Sequence, residues 1–167
     1  SSLFGAQLAA ELGLPYAFAS HFMPEALMQA LELYRDNFRP SEQLDRPYAM
    51  AGVNVMAADT DAEARKLFTS AQQQFTNLLR GTPGQLAPPI DDIEAYWSPL
   101  EKTHVSARLA VSFVGSFDRV QKDLDGFIDR TGVDEVIVAS MIYDHGARVH
   151  SYEILADVIA QRSNQRL

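Results

Sequence analysis

The chain contains no cysteine among its 167 residues. Disulfides, zinc–thiolate and iron–sulfur sites, and thiol nucleophiles are thereby excluded. Basic residues are scarce: 14 Lys and Arg face 22 Asp and Glu, for a formal net charge of −8. Nucleic acids and anionic membranes both need a basic face, so neither is an expected partner. No apolar run approaches the roughly 20 residues that span a bilayer. The opening Ser1-Ser-Leu-Phe-Gly5 has no basic stretch followed by an apolar one, unlike a secretory leader, and a soluble cytoplasmic protein is the expectation. Three motifs are missing as well. There is no G-x-G-x-x-G fingerprint, no Walker lysine and no G-x-S-x-G elbow, so dinucleotide folds, P-loops and α/β-hydrolases lack their signatures.

What is present is a globular composition. Apolar residues make up 47 % and charged residues 22 %, and the length suits a single domain, residues 1–167, with its own core. Phe4, Leu8 and Leu12 fall at i, i+4 and i+8 among alanines, which predicts a helix over 3–12 that stops at Gly13. Residues 15–22 are a short apolar run between stop signals and read as a buried strand. Pro24 opens a second helix with Leu27, Met28, Leu31, Tyr34 and Phe38 on one face. Residues 48–58, Y-A-M-A-G-V-N-V-M-A-A, are apolar at nearly every position and suit a strand covered on both faces.

Thr60 and Glu63 have capping-box spacing ahead of a helix that carries Leu67, Phe68, Ala71, Phe75, Leu78 and Leu79. Residues 82–107 hold Pro83, Pro88 and Pro89 and read as an irregular segment, a lid or variable loop. Residues 108–114 suit an extended segment. Ser116 then caps a helix with Val120, Leu124, Phe127 and Ile128 on one face, up to Gly132. Residues 133–143 are a third strong strand, 144–149 its exit loop, and 150–162 a final helix. Apolar strands alternating with amphipathic helices predict an α/β fold of parallel βαβ units. A chain that opens on a helix reads as the continuation of a unit whose strand precedes Ser1.

Candidate site residues follow from these positions. Ser1, Ser2 and Gly5 lie at a helix start, where free N–H groups and the dipole favour an anion, though the same residues serve ordinary N-capping. Ser20, His21 and Phe22 end a buried strand, the end at which parallel α/β folds build their sites. A histidine there can donate a hydrogen bond, act as acid or base, or cap the sheet edge. Tyr143, Asp144, His145 and Arg148 cluster after the last strand, either as an orienting pair with an anion-binding arginine or as a solvated loop. The acidic Asp91, Asp92 and Glu94 match no EF-hand spacing, and no metal site is expected. Tyr96 and Trp97 are lid anchors or packing residues; His104 and His150 show no partner spacing.

Four stretches together resemble one family. They are SSLFGAQLAAELGLPYAFASHF at 1–22, YAMAGVNVMAADTDAEARKLF at 48–68, SFVGSFDRVQKDL at 112–124 and GVDEVIVASMIYDHGARVHSYEILADV at 132–158. They are similar to the C-terminal half of the luciferase-like flavin-dependent monooxygenases. The resemblance implies half of a (β/α)8 TIM barrel, with strands six, seven and eight near 15–21, 48–57 and 134–142. It implies FMN, or in some relatives the deazaflavin F420, together with O2, a small-molecule substrate and a possible flavin reductase. By the family pattern Ser1, Ser2 and backbone around Gly5 would hold the flavin phosphate. His21 would act in catalysis, with Ser20 and Phe22 lining the substrate pocket. Strands one to four of such a barrel are missing from this sequence. The expectation is therefore an enzyme fragment, inactive alone, that pairs with the missing half. A non-catalytic flavin-binding half-barrel acting as a homodimer is the alternative.

Overall fold

A computed structural model of the chain describes residues 2–165. The elements are α1 (Leu3–Glu11), β1 (Tyr16–Phe18), a 3-10 turn (Pro24–Ala26) leading into α2 (Leu27–Asn37), β2 (Ala49–Ala57), α3 (Asp61–Leu79), α4 (Pro99–Arg108), β3 (Ser112–Gly115), α5 (Phe117–Thr131), β4 (Glu135–Ala139) and α6 (His145–Gln165). The four strands form one parallel sheet with β2 at its centre. Met50 is paired with Ala17 of β1 and with Glu135 of β4, so these two strands lie on opposite edges of β2. Asn54 is paired with Ser112 of β3 and with Ala139 of β4. β3 therefore shares an edge with β1 and takes over the pairing where β1 ends. The mixed α/β fold with a parallel sheet is the one the alternating pattern predicts.

Register decides which residues face the helices. Tyr16, Phe18, Ala51, Val53, Val55, Phe113 and Val136 point to the side covered by α1, α2, α5 and α6, in one continuous core. Tyr34 sits at its centre, fully buried, with its ring 5.2 Å from that of Tyr16 and its hydroxyl donating to the Leu14 carbonyl at 2.7 Å. The opposite face carries Ala17, Met50, Gly52, Asn54, Met56 and Ile137. Its far end, Met56 with Val114, is covered by Leu67, Phe68 and Ala71 of α3. At its near end Ala17 and Ile137 are exposed.

Several expectations are corrected. Phe4, Leu8 and Leu12, the large apolar residues whose spacing marks α1, are exposed; the helix buries Ala6 and Ala10 instead. Alanine lets α1 lie close against α2 and the sheet, and this turns the large side chains outward. Leu78 and Leu79 of α3 and Ile159 of α6 are also exposed. Residues 99–107, assigned above to the irregular segment, belong to α4. Pro99 sits in the first turn, and a full capping box joins Ser98 and Glu101. At Thr60 the Glu63 N–H donates to the threonine hydroxyl at 3.1 Å, which is the N-cap half of the expected capping box. The last helix starts at His145, five residues before the expected boundary, because the Asp144 carboxylate accepts from the Ala147 N–H at 2.8 Å and caps it. Ser116 stands where the N-cap of α5 was expected, but its side chain makes no cap bond. It donates to Asp61 at 2.9 Å and ties α5 to the start of α3.

Candidate active site on the open sheet face

The chain leaves β1 at Phe18 and turns through Ser20, His21 and Phe22. Two bonds to one acceptor hold that turn over β2. The Ser20 hydroxyl donates to the Gly52 carbonyl at 2.6 Å, and the His21 N–H donates to the same oxygen at 2.9 Å. Ser20 is fully buried. The His21 ring then lies flat against the α-carbon of Gly52: a β-carbon at position 52 would collide with Nδ1 and stand 2.7 Å from Cε1. Only glycine leaves room for the ring there. Two residues further along, Asn54 projects from the same face, about 7 Å away by strand geometry. Its Nδ2 donates to the Ser112 hydroxyl at 3.3 Å.

Two polar atoms of this surface are buried without a partner, His21 Nδ1 and Asn54 Oδ1. Such an atom forfeits about 1–3 kcal/mol unless a ligand or another chain satisfies it. The space over Gly52 is taken by the His21 ring itself; an imidazole nitrogen and an amide oxygen side by side suit a partner that offers both a donor and an acceptor. Gly52 and Asn54 were not singled out from the sequence. The available signal was Asn54 itself, the one side-chain hydrogen-bonding group in the otherwise apolar strand Ala49–Ala57.

Phe22 packs on the His21 ring, centroid to centroid 4.1 Å, and turns into a cleft of about 560 Å³. Met23, Phe75, Leu79 and Val105 supply further apolar lining, and His104 and Arg108 the polar part. Arg108 Nη1 donates to the Phe22 carbonyl at 3.1 Å. His104 and Arg108 are one helical turn apart on α4, so both reach the same cleft. They were missed because residues 82–107 read as irregular and 108–114 as extended, and outside a helix their four-residue spacing has no meaning.

The segment before α4 is strapped to α3. Arg80 donates to Glu101 at 2.7 and 3.1 Å and to the Tyr96 carbonyl at 2.8 Å, with its guanidinium 5.0 Å over the Tyr96 ring. The Arg80 bond, reinforced by the Ser98 N–H, holds the Glu101 carboxyl far below its usual range, at about 2. Trp97 packs with Val105 and Leu109 behind Phe75. Tyr96 and Trp97 thus anchor the segment.

Ser2 is the N-cap of α1: its hydroxyl oxygen accepts the Gly5 N–H at 3.1 Å, and Tyr16 donates to its carbonyl at 3.2 Å. The Gly5 N–H is thereby used within the cap. The amides left at this end of the helix are those of Leu3 and Phe4, with the Ser2 hydroxyl proton free to donate beside them. Ser1 lies outside the described residues. The cluster after β4 has its own arrangement. Asp144 caps α6 rather than orienting His145, and Arg148 lies 2.9 Å from His145 Nδ1. Among the described residues no group of three or more His, Asp or Glu is placed to hold a metal ion, and no helix is long and apolar enough to cross a membrane.

No family model matches the chain. A curated relative, the luciferase-like monooxygenase of Escherichia coli K12, is 51 % identical over 158 residues, which are 95 % of this chain and 47 % of that protein. The crystal structure of apo-MsnO8 is 32 % identical with a TM-score of 0.79, over 96 % of this chain and 49 % of that one. A type II Baeyer–Villiger monooxygenase, the oxygenating constituent of 3,6-diketocamphane monooxygenase from Pseudomonas putida in complex with FMN, has a TM-score of 0.58 at 21 % identity, a likeness of fold, over 90 % of this chain and 43 % of that one. The chain belongs to the luciferase-like monooxygenase family, and it spans about half the length of the curated relatives it matches.

Proposed function

We propose that this chain is the C-terminal half of the (β/α)8 barrel of an FMN-dependent, O2-using monooxygenase. In this reading β1, β2 and β4 are the sixth, seventh and eighth barrel strands, and the remaining five strands close the open face. The observation that carries it is that face: the His21 ring packed on Gly52, with two buried, unpartnered polar atoms, His21 Nδ1 and Asn54 Oδ1. The FMN-bound protein of like fold supports the choice of flavin. Reduced FMN, when bound, supplies the electrons that activate O2.

The work of this chain is to bind, orient and exclude water. The start of α1 offers two amides, the Ser2 hydroxyl and the positive end of the helix dipole to the flavin phosphate, and the family pattern adds Ser1. His21, at the end of β1, stands where it can meet the ring or the substrate. Phe22 and the segment at 82–107, with α4, form the wall of the substrate pocket and keep water from it. Alone the chain is inactive, since three barrel strands leave a face and two edges uncovered.

An FMN titration of the full-length protein and its Ser2→Asp variant tests the phosphate assignment. A carboxylate at the helix start repels the phosphate and removes a donor, so affinity is expected to fall about tenfold or more. Unchanged affinity sinks the assignment. His21→Ala is expected to lower turnover while leaving FMN affinity and folding largely intact.

A further inference from the structure

The cleft beside Phe22 carries more than a generic pocket. Its volume of about 560 Å³ lies within the roughly 300–1,000 Å³ of small-molecule sites. Its walls are apolar, from Phe22, Phe75, Leu79 and Val105, and Leu79 is half exposed to it. The polar groups are His104 and Arg108, together at one side. Arg108 is exposed, and among the described residues no carboxylate pairs with it. Arg39, Arg46 and Arg65 share that lack of an ion pair; Arg108 differs from them in lining the cleft. One nitrogen of the Arg108 fork is fixed by the Phe22 carbonyl, which orients the guanidinium and leaves its other donors to a ligand. A planar fork with several N–H donors matches a carboxylate in a way a point charge does not.

We infer that the cleft between α3, α4 and the β1–α2 turn takes an amphiphilic carboxylate, its apolar body against Phe22, Phe75 and Leu79 and its anionic head on Arg108 and His104. Calling that ligand the substrate rests on the flavin reading above; the carboxylate site itself does not. Charge complementarity selects the occupant: an uncharged chain would leave Arg108 without a partner, and an amine would be repelled by it.

The test is calorimetric titration of the full-length protein with decanoate, decanol and decylamine, alongside FMN. Decanoate is expected to bind about tenfold or more tightly than decanol or decylamine. Arg108→Gln is expected to abolish that preference while leaving decanol binding unchanged. Leu79→Glu, at an exposed position that folding does not depend on, is expected to reverse the order and admit decylamine. Equal binding of decanoate and decanol, or decanoate binding by Arg108→Gln at the wild-type level, overturns the inference. FMN binding without decanoate binding also overturns it and leaves the flavin reading standing. Decanoate binding without FMN binding upholds the site and overturns the flavin reading.

Discussion

The two faces of β2 carry alternate residues of one nine-residue strand, yet they are solved in different ways. On one face Ala51, Val53 and Val55 meet four helices and are sealed, with Phe18 and Tyr34 filling the space between. On the other, Gly52 and Asn54 meet a histidine ring and a serine hydroxyl, two polar atoms go unpaired, and neighbouring Ala17 and Ile137 stay open. A packed apolar face gains stability from every methylene and tolerates little change. The polar face gains little by itself, because two of its buried polar atoms have no partner among the described residues. Stability and site are thus separated by the pleat of one strand.

The largest expected effect breaks the sealed face. Phe18→Ala removes a fully buried ring and should cost about 3–5 kcal/mol, read as a shift of the urea midpoint. A loss below about 1 kcal/mol would put the packed core elsewhere.

Gly52→Ala is the matching change on the open face. The added methyl meets the His21 ring, and overpacking of this kind costs about 1–3 kcal/mol. Because the clash is with His21 alone at closest approach, the double variant Gly52→Ala with His21→Ala should regain most of that loss. His21→Ala by itself should stay within about 1 kcal/mol of the parent. Additive losses in thermal melts would show that the ring does not lie where described.

A smaller effect concerns the strap at the rim of the cleft. Glu101 has its folded value lowered to about 2 by Arg80 and Ser98, against about 4.3 for a free glutamate. With the folded value depressed, the stabilisation is fully present above about pH 4.3 and is lost as pH falls toward 2. Melting curves of the parent and Glu101→Gln should therefore converge as pH is lowered through that window. Parallel curves would remove Glu101 from the strap. The smallest effect is at Phe4, which is 75 % exposed: Phe4→Ser should change the chain's own stability by no more than about 0.5 kcal/mol. A larger loss would mean that α1 buries the stripe its spacing suggests.

Helix and strand identity was legible wherever periodicity and stop signals agreed. Val120, Leu124 and Phe127 of α5 are buried as their spacing requires, and the helix ends at Gly132 in the left-handed conformation expected of it. α1 shows the limit. Its spacing names Phe4, Leu8 and Leu12 as one stripe, but periodicity says only that they share a face, and the neighbours decide whether that face is covered. α4 was hidden by the prolines before it, although Ser98, Pro99 and Glu101 spell a helix start. Of the proposed site, Ser2, His21 and Phe22 were candidates from their positions at element ends. Gly52, Asn54, His104 and Arg108 were not, since their roles depend on which chain segments lie across from them.

The sequence by itself determined that this is a parallel α/β chain, because local periodicity, caps and alternation are properties of neighbours along the chain; its family came from the resemblance of four stretches to known proteins. It also contained the site's raw material at the ends of its strands. Only the tertiary structure decided the register that sends Gly52 and Asn54 to one face and Val53 and Val55 to the other. Only it laid His21 on Gly52 and brought Arg108 to the carbonyl of Phe22. The physical reason is that a slip of one residue between strands exchanges the faces completely, and contacts between residues 31 or 86 positions apart have no signature in any local window.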